Sequence, residues 1–210
     1  MTDQGYKGQK KPTSATSKFN EVHFLVSQIL AECNTTTLVK IVGCTNSGGL
    51  YPVGFVDVQP LVNLVDGYGN AKEHGVVYHC LYLRVQGGAN AIIIDPEPGD
   101  IGMCSFADRD ISSVKKNKRA SNPGSGRKFD FSDGIYLGGM LNGVPSQYVR
   151  FHSGEVDVVS PGAVNITAPS IVLTGNTQVI GTLTNNTVNI GSTHAHSNIE
   201  PGSGNSGGPF

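Results

Sequence analysis

The chain has 210 residues, of which 15% are charged, and its formal net charge at pH 7 is −1. This near balance does not favour a nucleic-acid-binding or membrane-surface protein, and no run approaches the ~18 apolar residues of a membrane span. Glycine is abundant at 28 residues and tryptophan is absent, a composition that favours strands and turns over helices.

The charge is unevenly distributed along the chain. All 15 lysines and arginines lie at or before Arg150, and residues 158–199 carry no formal charge. A soluble monomer seldom leaves so long a surface uncharged. We therefore expect this stretch to bury one of its faces against further copies of the chain.

The N-terminal third begins with a polar arm and then a helix. Residues 1–18 are rich in Lys, Ser, Thr and Gly and are predicted to be flexible. Asn20 is a candidate N-cap for the helix that follows. Apolar residues then recur at helical spacing, at Val22, Leu25, Val26, Ile29 and Leu30.

Residues 36–110 have the pattern of strands broken by Gly, Pro and Asn. Val56 and Val58 alternate with polar residues, and the apolar pattern resumes at Leu61. About five strands over roughly 75 residues match a small Greek-key barrel such as an OB-fold. We therefore predict one domain at residues 19–110, a helix plus an OB-fold barrel.

Four cysteines lie in this part of the chain. Because none form a C-x-x-C pair, a zinc ribbon is not indicated. The N-terminus lacks the apolar core of a secretory signal, so we expect reduced, partly buried thiols, although an even number permits disulfides. The cysteines are Cys33, Cys44, Cys80 and Cys104.

Residues 111–150 are predicted to be a linker and bridging strands. A basic segment surrounds an Asn-Pro-Gly-Ser-Gly turn, and two interpretations stay open: a nucleic-acid or partner contact, and a solvated connecting loop. No aromatic residues alternate with the cations to stack on bases, so we expect no nucleic-acid partner. The cations are Lys115, Lys116, Lys118, Arg119, Arg127 and Lys128.

Residues 151–191 repeat an apolar pair at positions i and i+2 about every eight residues, with turn formers between. Each repeat has too few apolar residues for a core of its own, but three chains around one axis could each supply an inward face. An antiparallel sandwich of short hairpins is the alternative, and the near-constant spacing argues against it. The pairs are Val156/Val158, Val164/Ile166, Ile171/Leu173, Val179/Leu183 (with Gly181 between) and Val188/Ile190.

Near the C-terminus, His194 and His196 stand two positions apart within residues 192–210. In an extended chain both rings would face the same side, and three chains would bring six imidazoles to one point. Zinc prefers four ligands in structural sites, so such a site favours iron or nickel. Six protein ligands would leave no open position for a substrate, which indicates a structural ion. The alternative is two solvent-exposed tail histidines.

Over residues 19–210, the order of these features resembles the central membrane-piercing spike proteins of contractile-tailed bacteriophages and of related injection machines. The stretches VDVQPLVN and PEPGDIGMCSFADRDIS resemble the family's barrel, and GRKFDFSDGIYLGGML resembles its bridge into the needle. The resemblance implies an all-β fold: an OB-fold barrel with one short helix, then an intertwined triple-stranded β-helix. It further implies a pointed apex in which His194 and His196 of three chains hold one iron ion per trimer.

The resemblance also implies a function. Such a homotrimer sits in the virion at the tip of the tail baseplate, after assembly in the host cytoplasm, and binds the tail hub protein. It crosses the host outer membrane transiently when the sheath contracts. We expect no enzymatic activity and no catalytic residues, and we assign structural roles to the central polar residues, namely Asp130, Asp133, His152, Glu155 and Asp157.

A trimeric receptor- or polysaccharide-binding tail fibre is the alternative function. Recognition surfaces are enriched in aromatic residues. The last 40 residues hold a single aromatic residue, Phe210. The sequence therefore favours the spike.

Overall fold

The computed structural model describes residues 12–65, 70–192 and 194. The chain divides into two compact units, Met1–Pro145 and Ser146–Phe210, which we describe separately. Across the described residues, no helix is both long enough and apolar enough to cross a membrane.

The first unit contains both α-helices of the described chain. A 3₁₀ turn at Pro12–Ala15 precedes helix α1 (Lys18–Ala31). Helix α2 (Ser112–Asn117) lies in the segment that we expected to be a linker, and a second 3₁₀ turn spans Phe131–Asp133.

The helix predicted after residue 18 is confirmed, but its predicted N-cap is wrong. Ser17 caps α1: its backbone is extended, and its hydroxyl accepts a hydrogen bond from the Asn20 amide at 3.2 Å. This is the usual N-cap geometry. Asn20 lies within the helix instead, and its side-chain amide donates to Thr13 O and Thr16 Oγ1.

The described chain contains thirteen strands, many of them short. They are β1 (Thr36–Cys44), β2 (Phe55–Pro60), β3 (Leu64–Val65), β4 (Ala71–Lys72), β5 (Val77–Tyr82), β6 (Val85–Gly87), β7 (Asn90–Ile92), β8 (Ile101–Phe106), β9 (Gly134–Gly139), β10 (Tyr148–His152), β11 (Glu155–Val159), β12 (Thr184–Asn185) and β13 (Val188–Asn189).

Five of these strands close into a barrel, which confirms the barrel prediction. The order around it is β1-β2-β5-β9-β8. All neighbours are antiparallel except β5 and β9, which run parallel. Strands β3–β4 and β6–β7 form separate two-stranded sheets.

The fifth barrel strand, β9, comes from the segment that we expected to hold bridging strands. Close packing explains why a glycine-rich strand fits there. A Cβ atom on Gly134 would lie 3.0 Å from the sulfur atoms of both Cys80 and Cys104. Because Gly134 has no side chain, β9 can approach the core closely and pair with both β5 and β8.

Alternating side chains build the barrel core. In β2 and β8, every second residue is buried, and the predicted Val56 and Val58 are both in the core, whereas Leu61 is 40% exposed. Full burial of each such side chain stabilises the fold by about 1.5–3 kcal/mol. The core residues are Val39, Ile41, Val56, Val58, Cys80, Tyr82, Cys104, Phe106 and Tyr136.

The second unit has no buried residue among its described positions 146–192 and 194. Its sheets there are two hairpins, β10–β11 and β12–β13, and residues 160–183 between them form no strand. Neither the expected β-helix nor a sandwich of hairpins is formed by the described part of one chain. The physical reason is that the repeat leaves its apolar side chains without a second layer: Ile166 is 71% exposed and Leu173 72%.

Candidate metal centre

His194 is exposed and follows closely after the last hairpin. Its backbone amide donates to the Gly191 carbonyl at 3.1 Å, and its ring nitrogen Nδ1 lies 2.7 Å from the same oxygen. A carbonyl can only accept, so Nδ1 is the donor if this contact is a hydrogen bond. This is the arrangement in which a backbone carbonyl orients a metal-binding histidine.

The β12–β13 hairpin positions His194. Its two turn residues, Asn186 and Thr187, both have positive φ angles (48° and 68°), as a type I′ turn requires. Asparagine adopts this conformation readily, whereas a β-branched residue rarely does. After the hairpin, the Gly191 amide donates to Asn189 Oδ1 at 2.9 Å, which turns the chain just before the histidine.

His196 lies outside the described residues, as does most of the expected apex at 192–210. The Nδ1 contact of His194 with the Gly191 carbonyl is compatible with a metal-binding histidine, but the pairing of His194 with His196 stays a prediction. So does the iron ion that the resemblance implies for them.

The structure also brings together three polar residues for which the sequence predicts only structural roles. One ligating atom from each of His152, Glu155 and Asp157 lies within 4.8 Å of the others. His152 Nε2 is 2.9 Å from Asp157 Oδ2 and 3.9 Å from Glu155 Oε2. By composition and spacing, this group could hold a metal ion.

The turn between β10 and β11 creates this group. Ser153 and Gly154 have φ angles of 43° and 83°, again a two-residue turn of the primed kind. The turn pairs His152 with Glu155 and leaves Asp157 two positions further along the strand, on the same face. The sequence His-Ser-Gly-Glu was the signal that could have revealed the pair.

One member of this group, Asp157, already forms an ion pair with Arg150. Arg150 is paired with Asp157 across the hairpin, and its Nε donates to Asp157 Oδ2 at 3.0 Å. Hydrogen bonds from Arg150, and then from His152, lower the pKa of Asp157. A metal ion would have to displace the Arg150 guanidinium, so the present contacts are those of an ion-pair cluster.

The basic segment of the first unit is partly anchored to the protein. Arg127 lies 3.1 Å from Asp110 and 3.3 Å from Asp133, two acids whose side chains are almost fully buried. Hydrogen bonds from Ser112 and Ser125, together with the Arg127 charge, lower the pKa of Asp110 to about 2. These contacts favour the interpretation of a connecting loop over a nucleic-acid contact.

The four cysteines are free thiols in this structure. Cys80 and Cys104 are fully buried in the barrel core, while Cys33 and Cys44 are half-buried. A hydrogen bond with Cys80, together with burial, raises the pKa of Cys104. Cys104 is therefore held as a thiol, with the character of a small apolar core residue.

No protein-family model matches this chain, and no curated protein matches it either.

Proposed function

We propose that this protein is the homotrimeric central spike of a contractile phage tail, which crosses the host outer membrane when the sheath contracts. One observation carries the proposal. The regularly spaced apolar side chains of the second unit are exposed in the single chain, in a stretch without formal charge. Exposed apolar surface of this extent is typical of an interface.

Three copies of residues 151–191 would form the triple-stranded β-helix. Each chain would supply the inward face of its repeat, and the backbone groups of residues 160–183 would pair between chains instead of within one. The outward Thr, Asn and Ser side chains would leave the needle polar but uncharged. Such a surface slides through a membrane headgroup layer without strong ionic contacts.

The barrel would be the OB-fold end of the spike. Counted along the chain, its five strands have the order 1-2-3-5-4 around the closed barrel, with the parallel pair between the third and fifth. This agrees with a five-stranded Greek-key barrel of the OB type. Because OB-folds serve many functions, the barrel supports the fold and not the activity. We place the contact with the tail hub protein at this end.

The apex would be held by one structural iron ion per trimer, bound by His194 and His196 of three chains. His194 is compatible with this role because its Nδ1 lies 2.7 Å from the Gly191 carbonyl oxygen, the kind of contact that orients metal-binding histidines. An ion with six nitrogen ligands would cross-link three chain ends that would otherwise fray. The proposed role is mechanical, with no catalytic residue assigned.

Mass and metal content test the proposal together. Light scattering on the purified chain should give the mass of three copies, and elemental analysis should give about one iron per three chains. A His194→Ala, His196→Ala double variant should lose the iron and remain trimeric. A monomeric wild type would overturn the proposal.

A matched control separates the two candidate metal positions. A His152→Ala, Asp157→Asn double variant changes the hairpin cluster and leaves the apex intact. It should keep the full metal content. If it loses the metal while the apex variant retains it, the ion belongs to the hairpin and the apex assignment is wrong.

A cell-binding assay separates the spike from the tail-fibre alternative. A fibre should bind intact Gram-negative cells tightly and saturably through its distal end. A spike should show no such binding without the contraction of a sheath. Saturable binding that a surface polysaccharide competes away would favour the fibre.

A further inference from the structure

Helix α1 presents an apolar stripe to solvent. None of its residues is buried. A helix of about 12–15 residues is only marginally stable alone in water, because most helical stability comes from packing of an apolar face. The stripe therefore requires a partner. Its six members are between 47% and 76% exposed: Phe19, Val22, Leu25, Val26, Ile29 and Leu30.

The opposite side of the helix is already in contact with the rest of the chain. Asn20 Nδ2 donates to Thr13 O at 2.9 Å and to Thr16 Oγ1 at 2.8 Å. Phe24, one turn further on, is half-buried. Because residues 20, 24 and 27 share this face, the contact with the 3₁₀ turn leaves the stripe facing outward.

The spacing of the stripe identifies the kind of partner. Phe19, Val22, Val26 and Ile29 follow steps of three, four and three residues, the a and d positions of a heptad. Three of the four are β-branched and occupy both a and d positions. Ile-type residues at both positions favour three or more strands over two.

Two residues beside the core positions enlarge the apolar contact surface of the helix. Leu25 and Leu30 occupy g and e positions, which meet between neighbouring helices of a parallel bundle. With about 100 Å² of apolar surface on each of six side chains, three helices would bury on the order of 1,800 Å², above the roughly 1,000 Å² of a specific interface.

The segments outside the described part offer no matching apolar stripe in their sequences. Residues 1–11, 66–69, 193 and 195–210 lie outside the described part, and the sequences of the three longer segments are dominated by Gly, Ser, Lys, Asn and Asp. None contains apolar residues at spacings of three and four. None of these segments therefore has the sequence expected of a partner for the α1 stripe.

We propose that α1 of three copies of this chain assembles into a parallel three-helix coiled coil, with Phe19, Val22, Val26 and Ile29 in its core. The bundle would be a self-association surface at the N-terminal end, additional to the contacts of the apolar repeat. The hub-docking role would then fall to the barrel and to the outer faces of this bundle.

Site-directed disulfide formation in the full chain tests the bundle. Cys33 and Cys44 are first replaced by serine, because both are only half-buried. Val26→Cys then places a thiol in the proposed core. Ser27→Cys is the matched control, since it is the neighbouring residue on the face toward the 3₁₀ turn. Both variants are oxidised at low protein concentration and compared on non-reducing gels.

We expect roughly ten-fold or more covalent dimer from Val26→Cys than from Ser27→Cys, because the core holds its thiols at a high effective concentration. Equal cross-linking of the two variants would overturn the bundle. The absence of cross-linking in both variants would also overturn it, and is the result expected if α1 binds another protein instead. Val22→Cys with Glu21→Cys as its control repeats the test if the first pair folds poorly.

The outcome is distinguishable from failure of the proposed function. A trimer of unchanged mass and iron content without the Val26 cross-link overturns the bundle alone. If the Val26→Cys variant cross-links but the protein binds no metal, the bundle is supported and the proposed metal site at the apex is ruled out.

Discussion

Arg84 and Asp95 form an ion pair that is almost completely shielded from solvent in the first unit, with side chains 3% and 2% exposed. The Tyr82 hydroxyl donates to the same carboxylate at 2.7 Å, and the Gly48 amide donates to its other oxygen at 2.8 Å. Arg84 also donates to the Tyr51 carbonyl. The pair therefore connects the end of β5 to two loops.

Removing the carboxylate should destabilise the first unit strongly. Asp95→Ala leaves the Arg84 charge buried without its partner, and such changes cost about 3–5 kcal/mol. Asp108→Ala is the control, because Asp108 is exposed and forms its ion pair with the neighbouring Arg109 at 3.5 Å; it should change stability by less than about 0.5 kcal/mol. Chemical denaturation measures both, and equal losses would contradict the prediction.

The same ion pair should make stability depend on pH. Burial alone would raise the pKa of Asp95, but hydrogen bonds from Arg84, Tyr82 and the Gly48 amide lower it overall. A lowered pKa contributes stability above the unfolded value of about 3.9, and this contribution is lost as pH falls through the lower folded pKa. Unfolding free energies measured from about pH 6 to about pH 3 should fall less steeply in Asp95→Asn than in the wild type.

Glycine at position 102 should be required for barrel closure. A Cβ atom there would collide with the Gly138 carbonyl oxygen and the Tyr136 ring. Gly102→Ala should therefore cost about 1–3 kcal/mol or more by overpacking. Gly87→Ala meets no atom within 4 Å and should be close to neutral. Thermal unfolding compares the two, and a neutral Gly102→Ala would contradict the described register of β8 and β9.

A charge on the inward face of the repeat should destabilise the needle part of the trimer. Ile166→Asp would place three carboxylates at the proposed axis, where burial of unpaired charge is costly. Asn165→Asp adds the same charge at the adjacent outward position and should leave the trimer intact. Light scattering reads out the mass of each variant. An Ile166→Asp variant that keeps both the trimer mass and the wild-type unfolding temperature would exclude the intertwined needle.

Removing the metal should loosen the trimer. A bound ion stabilises the state that binds it, so a chelator should lower the unfolding temperature of the wild type by several degrees. Acid should have the same effect, since metal binding requires neutral imidazole. In the His194→Ala, His196→Ala variant the chelator should change nothing; a shift there would locate the ion elsewhere.

The sequence alone determined the features that depend on local periodicity. Helix α1 was readable from apolar residues at helical spacing, and the barrel strand with Val56 and Val58 from strict alternation. The exposure of Ile166 and Leu173 agrees with the expectation that the repeat has too few apolar residues for a core of its own. Each of these patterns depends on residues close together in the sequence, so it can be recognised without knowledge of the fold.

Only the tertiary structure decided which distant segments meet. Strand β9 joined the barrel because Gly134 leaves room for two core cysteines from other strands. The fold brings the buried carboxylates of Asp110 and Asp133 to Arg127, which holds the basic segment against the protein. The Ser153–Gly154 turn brings together the three residues of the hairpin cluster. Such contacts depend on register and on loop closure between remote residues, which no local pattern encodes.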